Sequence, residues 1–310
     1  MSAEMRKKVS CHVITYNHIN YISKCLDGIL MQKTNFSFEI IIGDDVSTDG
    51  TREIVERYAA EYPDLIRLNL RQKRGTGIPG KENFVSTLEM CTGEYISLCD
   101  GDDYWTDPLK LQKQVDFLEN NKEFNICFHN VQNVDRDGKI ISKNNPSSGE
   151  IEKTYTIENL SLENFIDTPS VVFRNNGYPL PSWFIYSPIG DYPLHLINAS
   201  SGLIKYFPEE MAVYRVGSGV WNTKSIVDQI LGTVFCLNFL IEDFKSNKTV
   251  HDNLKNQYDR FKMVLINPFE EKKELESKIK DYVYLEKNIS LTYLLKMLKI
   301  KIFRKLKLKN

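Results

Sequence analysis

The sequence predicts an α/β protein built on a doubly wound, mostly parallel sheet with a mainly helical C-terminal extension. Two observations carry this. In the first 131 residues, short apolar runs alternate with segments of helical period, the pattern of strands joined by crossover helices and covered on both faces. Beyond residue 221 the strand-like runs give way to a long apolar helical segment and then to charged, helix-prone sequence. The expected domains are therefore 1–221, carrying the sheet and the site, and 222–310, helical with a basic tail at 295–310.

Element by element, Val9–Thr15 reads as the first strand, and Asn20–Met31 carries Tyr21, Ile22, Cys25, Leu26, Ile29 and Leu30 at helical spacing. Glu39–Gly43 is a second strand. A Ser/Thr/Asp/Gly turn leads into a helix with Ile54, Val55, Tyr58 and Ala59 on one face. Ile66–Leu70, Glu82–Cys91 and Tyr95–Cys99 continue the alternation as strand, helix and strand. Asp107-Pro108 supplies an N-cap and a first-turn proline for a helix to about Asn120, and Ile126–Val131 is a fifth strand. Asp135–Lys153 is polar and turn-rich, residues 154–221 mix short strands with turns, and Ile226–Ile241 reads as a buried helix.

Composition excludes several classes. Forty basic against forty-one acidic side chains leave a net charge of −1, so no global field draws in nucleic acid. The chain shows no apolar run of membrane-span length, and its polar start predicts no secretory leader. Its six cysteines form no CxxC pair and read as reduced core residues of a cytoplasmic protein. The last sixteen residues hold seven Lys or Arg and no acid, and Leu291, Leu295, Leu298, Ile302 and Leu306 recur among them and just before at helical spacing. That is the pattern of a basic amphipathic helix, so peripheral contact with the anionic inner face of the cell membrane is expected through 295–310.

Three acidic features follow strand ends, where doubly wound sheets bind ligands. Asp44-Asp45 closes the second strand. Asp49-Gly50 explains itself as turn and cap chemistry, but adjacent carboxylates are not needed for a turn, and Asp45 is placed to accept N–H donors from a nucleobase. Asp100-Gly101-Asp102-Asp103 puts three acids directly after the fourth strand, an arrangement that calls for a cation. Hard divalent ions take such oxygen ligands together with substrate phosphates, and Gly101 lets the backbone turn between the acids. Asp191, in Gly190-Asp191, reads on its own as a turn or cap residue, and His195 as structural. Arg71–Lys81, basic and glycine-bearing, fits neither the P-loop nor the dinucleotide fingerprint and reads as a solvated loop. No hydrolase triad order or HExxH spacing occurs.

Val9–Asn17, Glu39–Thr51, Gly93–Ile96 and Asp100–Trp105 with Thr106-Asp107-Pro108, in this order, resemble the family 2 glycosyltransferases of the GT-A fold, and most nearly the bacterial members that build surface polysaccharide. The resemblance spans roughly residues 8–220. It implies an inverting, metal-dependent transfer of a sugar from a nucleotide-diphospho-sugar, with UDP favoured, to a hydroxyl of a glycan or lipid-linked acceptor. It further implies that Thr15, Tyr16, Asn17 and Asp45 hold the nucleotide, that Asp100, Asp102 and Asp103 are candidates to bind Mg²⁺ or Mn²⁺ and the diphosphate, and that Asp191 is the catalytic base. The histidine that many relatives carry after the segment matching Tyr214-Arg215 is absent from Val216–Trp221. Two alternatives stand beside this: a nucleotide-sugar-binding protein without catalysis, and a sugar-phosphate nucleotidyltransferase. The latter is expected to have a Gly-rich loop where Thr15-Tyr16-Asn17-His18 stands.

Overall fold

A computed structural model of the chain describes residues 7–75, 77–141, 151–177, 180–219, 221 and 223–266. The alternating half forms as β1 (Val9–Thr15), α1 (Ile22–Leu30), β2 (Phe38–Asp44), α2 (Thr51–Glu61), β3 (Ile66–Leu70), α3 (Lys81–Glu89) and β4 (Tyr95–Asp100). It continues through β5 (Tyr104–Trp105), α4 (Lys110–Asn120) and β6 (Phe124–Val134). The remainder contributes β7 (Lys153–Tyr155), α5 (Ile157–Leu160), β8 (Val172–Arg174), α6 (Asp191–Ala199), β9 (Leu203–Arg215), α7 (Ile226–Asp243) and α8 (Lys248–Ile266).

Among the described residues these strands make one nine-stranded sheet, ordered β3-β2-β1-β4-β8-β6-β9-β5, with β7 on β9. The β3-β2-β1-β4 half is parallel throughout. β8 runs antiparallel between β4 and β6, and β6 and β9 then pair in parallel over most of their length. In register, Thr15 lies beside Asp44 and Ile14 beside Asp100, so the carboxyl ends of β1, β2 and β4 are level. This brings Thr15, the Asp44-Asp45 pair and Asp100 to one edge.

Side chains along the parallel strands alternate between two buried cores, as a sheet covered on both faces requires. Val9, Cys11 and Val13 of β1 join Ile40 and Ile42 of β2 against Ile22, Leu26 and Ile29 of α1 and Leu111 and Val115 of α4. Ile41 of β2 and Ile96 and Leu98 of β4 face the other way, toward Phe84 of α3, Leu194 and Leu196 of α6, Phe235 and Phe239 of α7, and Val250 and Leu254 of α8. The C-terminal helices therefore share a core with the sheet. Trp183 stacks on Phe239 at 5.4 Å and donates its indole N–H to Asp243 at 2.6 Å. Gln257 of α8 donates to the Ser161 carbonyl and to the Tyr192 hydroxyl.

Two local expectations are corrected. α4 begins at Lys110 with Leu109 at its cap, because Pro108 and Leu109 form a turn first; Asp107 serves that turn by accepting the Leu109 N–H at 2.8 Å. Gly101 does not adopt a positive φ. It is glycine because a Cβ there would lie 2.8 Å from Thr15 Oγ1 and 3.0 Å from His18 Nδ1. All six cysteines are free and buried. No described helix is long and apolar enough to cross a membrane, and the basic tail at 295–310 lies outside the described residues.

Candidate active site

The level strand ends open onto a cavity of about 710 Å³. Thr15, Tyr16, Asp45, Asp100, Asp102, Asp103 and Asp191 all line it. Seven of the eight residues singled out by sequence thus meet around one space. Asn17 is not among its lining residues. With φ at 55°, it accepts the Thr48 N–H on its side-chain oxygen at 2.9 Å and donates its own N–H to Ser47 Oγ at 3.0 Å, bracing the loop that follows Asp45.

The adjacent acids at the end of β2 are separated in role. Asp44 is fully buried and takes Nε of Arg52 at 2.7 Å and the Ser47 N–H at 3.1 Å. Asp45 points into the cavity, where Arg74 Nε donates to Oδ2 at 3.1 Å and Arg71 Nε lies 3.5 Å from Oδ1. The Arg74 guanidinium also sits 3.7 Å over the Tyr16 ring. The Arg71–Lys81 stretch, expected to be a solvated loop, instead folds Arg71 and Arg74 onto Asp45, which is itself buried. Arg71, Arg74 and Lys81 are residues that sequence reasoning did not assign. The usable signal was a run of arginines after a strand whose neighbour ends in a carboxylate lacking a cation of its own. Asp49 performs the expected cap, accepting from Thr51 and from the Ile19 N–H.

The acidic turn after β4 is held from β9. Asp103 accepts the Arg215 N–H on Oδ1 at 2.7 Å, Arg215 Nε donates to the Asp102 carbonyl at 3.0 Å, and Ser218 Oγ donates to Asp102 Oδ2 at 2.6 Å. The loop without the relatives' histidine thus reaches the acids through a serine. Burial, reinforced by Asp102 and Asp191, pushes the Asp100 carboxyl well above the ordinary range. Burial, with Asp102 and Asp100, does the same to Asp103, against the opposing Arg215 N–H. Such acids are short of positive charge. Asp103 Oδ2 is buried with no hydrogen-bond partner. Among the described residues no three His, Cys, Asp or Glu side chains close a protein cage for an ion. An all-oxygen, partly open set of this kind fits a hard divalent cation that completes its shell with water and phosphate oxygens.

Asp191 is the first residue of α6, across the cavity. Asn164 Nδ2 donates to its Oδ2 at 3.4 Å. The turn before it is tied to α3: Lys81 Nζ donates to the Ile189 carbonyl at 2.9 Å. One helical turn below, His195 is fully buried, and burial lowers its pKa to about 4 despite the Asp191 charge. It is neutral and lies under Asp191. Gln257, Arg260 and Phe261 of α8 also line the cavity.

Comparison with known proteins agrees with this layout. Residues 10–177, more than half of the chain, match Glycosyl transferase family 2. An uncharacterized protein of Mycobacterium tuberculosis is 44% identical over 213 residues, covering 68% of this chain. The alignment spans 59% of that relative's own length. Among solved structures, Staphylococcus aureus TarS in complex with UDP-GlcNAc superposes with a TM-score of 0.62 at 20% identity, covering 87% of this chain and 77% of that one. A Pyrobaculum calidifontis mannosyltransferase in complex with GDP-Man and Mn²⁺ superposes with a TM-score of 0.58 at 18% identity, covering 97% and 81%. At these identities the two structures speak for the fold alone.

Proposed function

The chain belongs to the family 2 glycosyltransferases, and from that premise we propose that it is an inverting, metal-dependent enzyme moving a sugar from a nucleotide-diphospho-sugar to a hydroxyl acceptor. UDP is the favoured nucleotide, and a glycan or lipid-linked acceptor of surface polysaccharide synthesis the favoured acceptor. One observation carries the reading: a single cavity joins a stacking face and hydrogen-bond acceptor at Tyr16 and Asp45, a cluster of acids at Asp100–Asp103, and the Asp191 carboxylate at the start of α6. These are the three chemistries that glycosyl transfer needs.

In this reading Tyr16 stacks the base and Asp45 accepts an N–H from its edge. Thr15 Oγ1, buried with no hydrogen-bond partner, is a donor left available to the nucleotide. Asp102, with Asp100 beside it, would hold Mg²⁺ or Mn²⁺. When bound, the ion neutralises charge gathering on the departing diphosphate. Asp103 keeps the turn in shape through its bond to β9. Asp191 takes the proton from the acceptor hydroxyl as that oxygen attacks the anomeric carbon from the side opposite the nucleotide, which inverts the configuration. Asn164 fixes the carboxylate's orientation. The neutral His195 beneath adds no positive charge that would weaken the base.

The test is a thermal-shift screen of UDP-, dTDP- and GDP-sugars with Mn²⁺ and with chelator, since ligand binding raises apparent stability by mass action. Metal-dependent stabilisation by one nucleotide class, followed by appearance of the free nucleoside diphosphate with an acceptor, supports the reading. A cooperatively melting protein that responds to none of them refutes it. Donor binding with no turnover on any hydroxyl acceptor would leave the non-catalytic binding protein in its place.

A further inference from the structure

Lys81 is a charged residue that the proposed chemistry has not used. It opens α3 directly after Gly80, whose φ of +74° turns the chain inward, and it is 4% exposed. Its Nζ gives one hydrogen bond, to the Ile189 carbonyl at 2.9 Å, and lies 4.5 Å from the centre of the Phe184 ring and 5.3 Å from that of Phe84. Among the described residues no carboxylate comes within 4.0 Å of it. An ammonium has three N–H donors, and one buried without an anion is a costly group to keep for structure alone. A methionine would fill the same aromatic surroundings. Burial brings its pKa down to about 7, with Asp191 among the groups opposing the fall.

Its place along the cavity is informative. α3 follows the loop whose Arg71 and Arg74 touch Asp45, and Lys81 lines the same cavity as Asp45 and Asp191. Asn164 faces Asp191 from another element, and Gln257, Arg260 and Phe261 line the cavity from α8. Lys81 itself is part of the wall, next to Gly190: a Cβ built there would sit 3.4 Å from its Nζ. With the base at Asp45, the diphosphate at Asp102 and the attacking hydroxyl at Asp191, the group beside Lys81 is the sugar being transferred.

We propose that Lys81 reads the donor sugar, its remaining N–H donors taking hydroxyl or carboxylate oxygens of the transferred ring beside Asp191. The inference rests on the functional reading above, but assigns a specificity-determining contact that the nucleotide and metal groups do not make. It also explains why the ammonium is held by a carbonyl and two ring faces and not by an acid. A carboxylate partner would compete with the sugar for the same donors.

The test separates sugar from nucleotide. Lys81→Met and Lys81→Gln are one heavy atom shorter than lysine and remove its charge, Met keeping the apolar packing and Gln a neutral N–H donor. Calorimetry in Mn²⁺ compares each variant with wild type for UDP, dTDP and GDP and for a panel of their sugars, including a uronic acid donor. The expected result is unchanged affinity for the free nucleoside diphosphate, with the ratio of sugar-nucleotide to nucleotide affinity falling about 10-fold, the worth of one charge-assisted hydrogen bond. Equal weakening of nucleotide and sugar nucleotide would make Lys81 a structural anchor of the Ile189–Asp191 turn and overturn the proposal. An unchanged ratio in both variants would overturn it too. A wild-type protein that binds none of the free nucleoside diphosphates would instead refute the functional reading, and this inference with it.

Discussion

The guanidinium of Arg74 lies 3.7 Å over the ring of Tyr16 while its Nε donates to Asp45 Oδ2 at 3.1 Å. A pyrimidine base in the proposed site would use the same ring face and the same carboxylate. Arg74 therefore occupies the seat of the base in this state, and entry of a nucleotide displaces it. A cation–π contact and a partly exposed ion pair are each worth about 0.5–1 kcal/mol, so Arg74→Ala should tighten binding of uridine about 5- to 30-fold. Uridine is the appropriate probe because it has no phosphates for a displaced arginine to recapture. Calorimetric titration showing weaker uridine binding would mean that Arg74 helps to form the base site and does not block it.

In the proposed function Asp191 serves the acceptor and not the nucleotide, so its removal should separate chemistry from binding. Asp191→Ala is expected to lower kcat by about 10²- to 10⁴-fold, the usual contribution of a positioned general base. UDP affinity should hold, since Tyr16 and Asp45 are untouched. A variant keeping most of its turnover with the same donor and acceptor would remove Asp191 from the mechanism.

How far the sequence speaks for the site can be judged at individual residues. The strands and their order of acids were readable because parallel strands buried on both faces produce continuous apolar runs, and the acids follow those runs directly. The sequence singled out Asp45 of the pair but offered no partner for Asp44. Only the fold shows that Arg52, eight residues on, neutralises the first and leaves the second to the cavity. The arginines of the 71–81 loop were missed because their partner lies on another strand, and a long-range ion pair leaves no periodicity. Lys81 was missed for the same reason: a lysine at a helix start reads as solvated until a second element closes over it. Gly101 was identified as necessary, but for its backbone freedom; the real constraint is the approach of Thr15 from β1.

Three buried histidines, His12, His129 and His195, set an acid limit on stability, burial lowering the pKa of each. His12 and His195 are each 1% exposed or less, and burial lowers each pKa to about 4 from an unfolded value near 6.5. Between those values the unfolded chain holds protons that the folded chain refuses, so stability declines as pH falls through that window. At pH 5 each costs about 2 kcal/mol relative to neutral pH. Asp100 and Asp103, whose carboxyls are raised, act in the opposite sense, so the measurement must be differential. His195→Leu should flatten the fall in Tm between pH 7 and pH 5 relative to wild type. Parallel pH profiles for the two proteins would show that His195 is not a titrating group of the unfolding transition.

Gly43, one residue before the acid pair, is constrained by contact with α3. A Cβ there would meet Thr87 Oγ1 at 2.1 Å and Asn83 Oδ1 at 2.6 Å, and the Asn83 amide donates to the Gly43 carbonyl at 2.8 Å. Thr87 in turn accepts from Asn69 of β3, so neither neighbour can retreat without breaking a buried hydrogen bond. Gly43→Ala is expected to destabilise the protein by about 2–4 kcal/mol through overpacking and a lost buried bond. Because the strain falls at the carboxyl end of β2, it should also move Asp45 and weaken UDP binding in the fraction that folds. Urea denaturation reads the first effect and calorimetry the second. A variant within about 0.5 kcal/mol of wild type, the range of an ordinary surface change, would show that α3 moves away from β2 at little cost. In that case the strand end would not be held as rigidly as these contacts require.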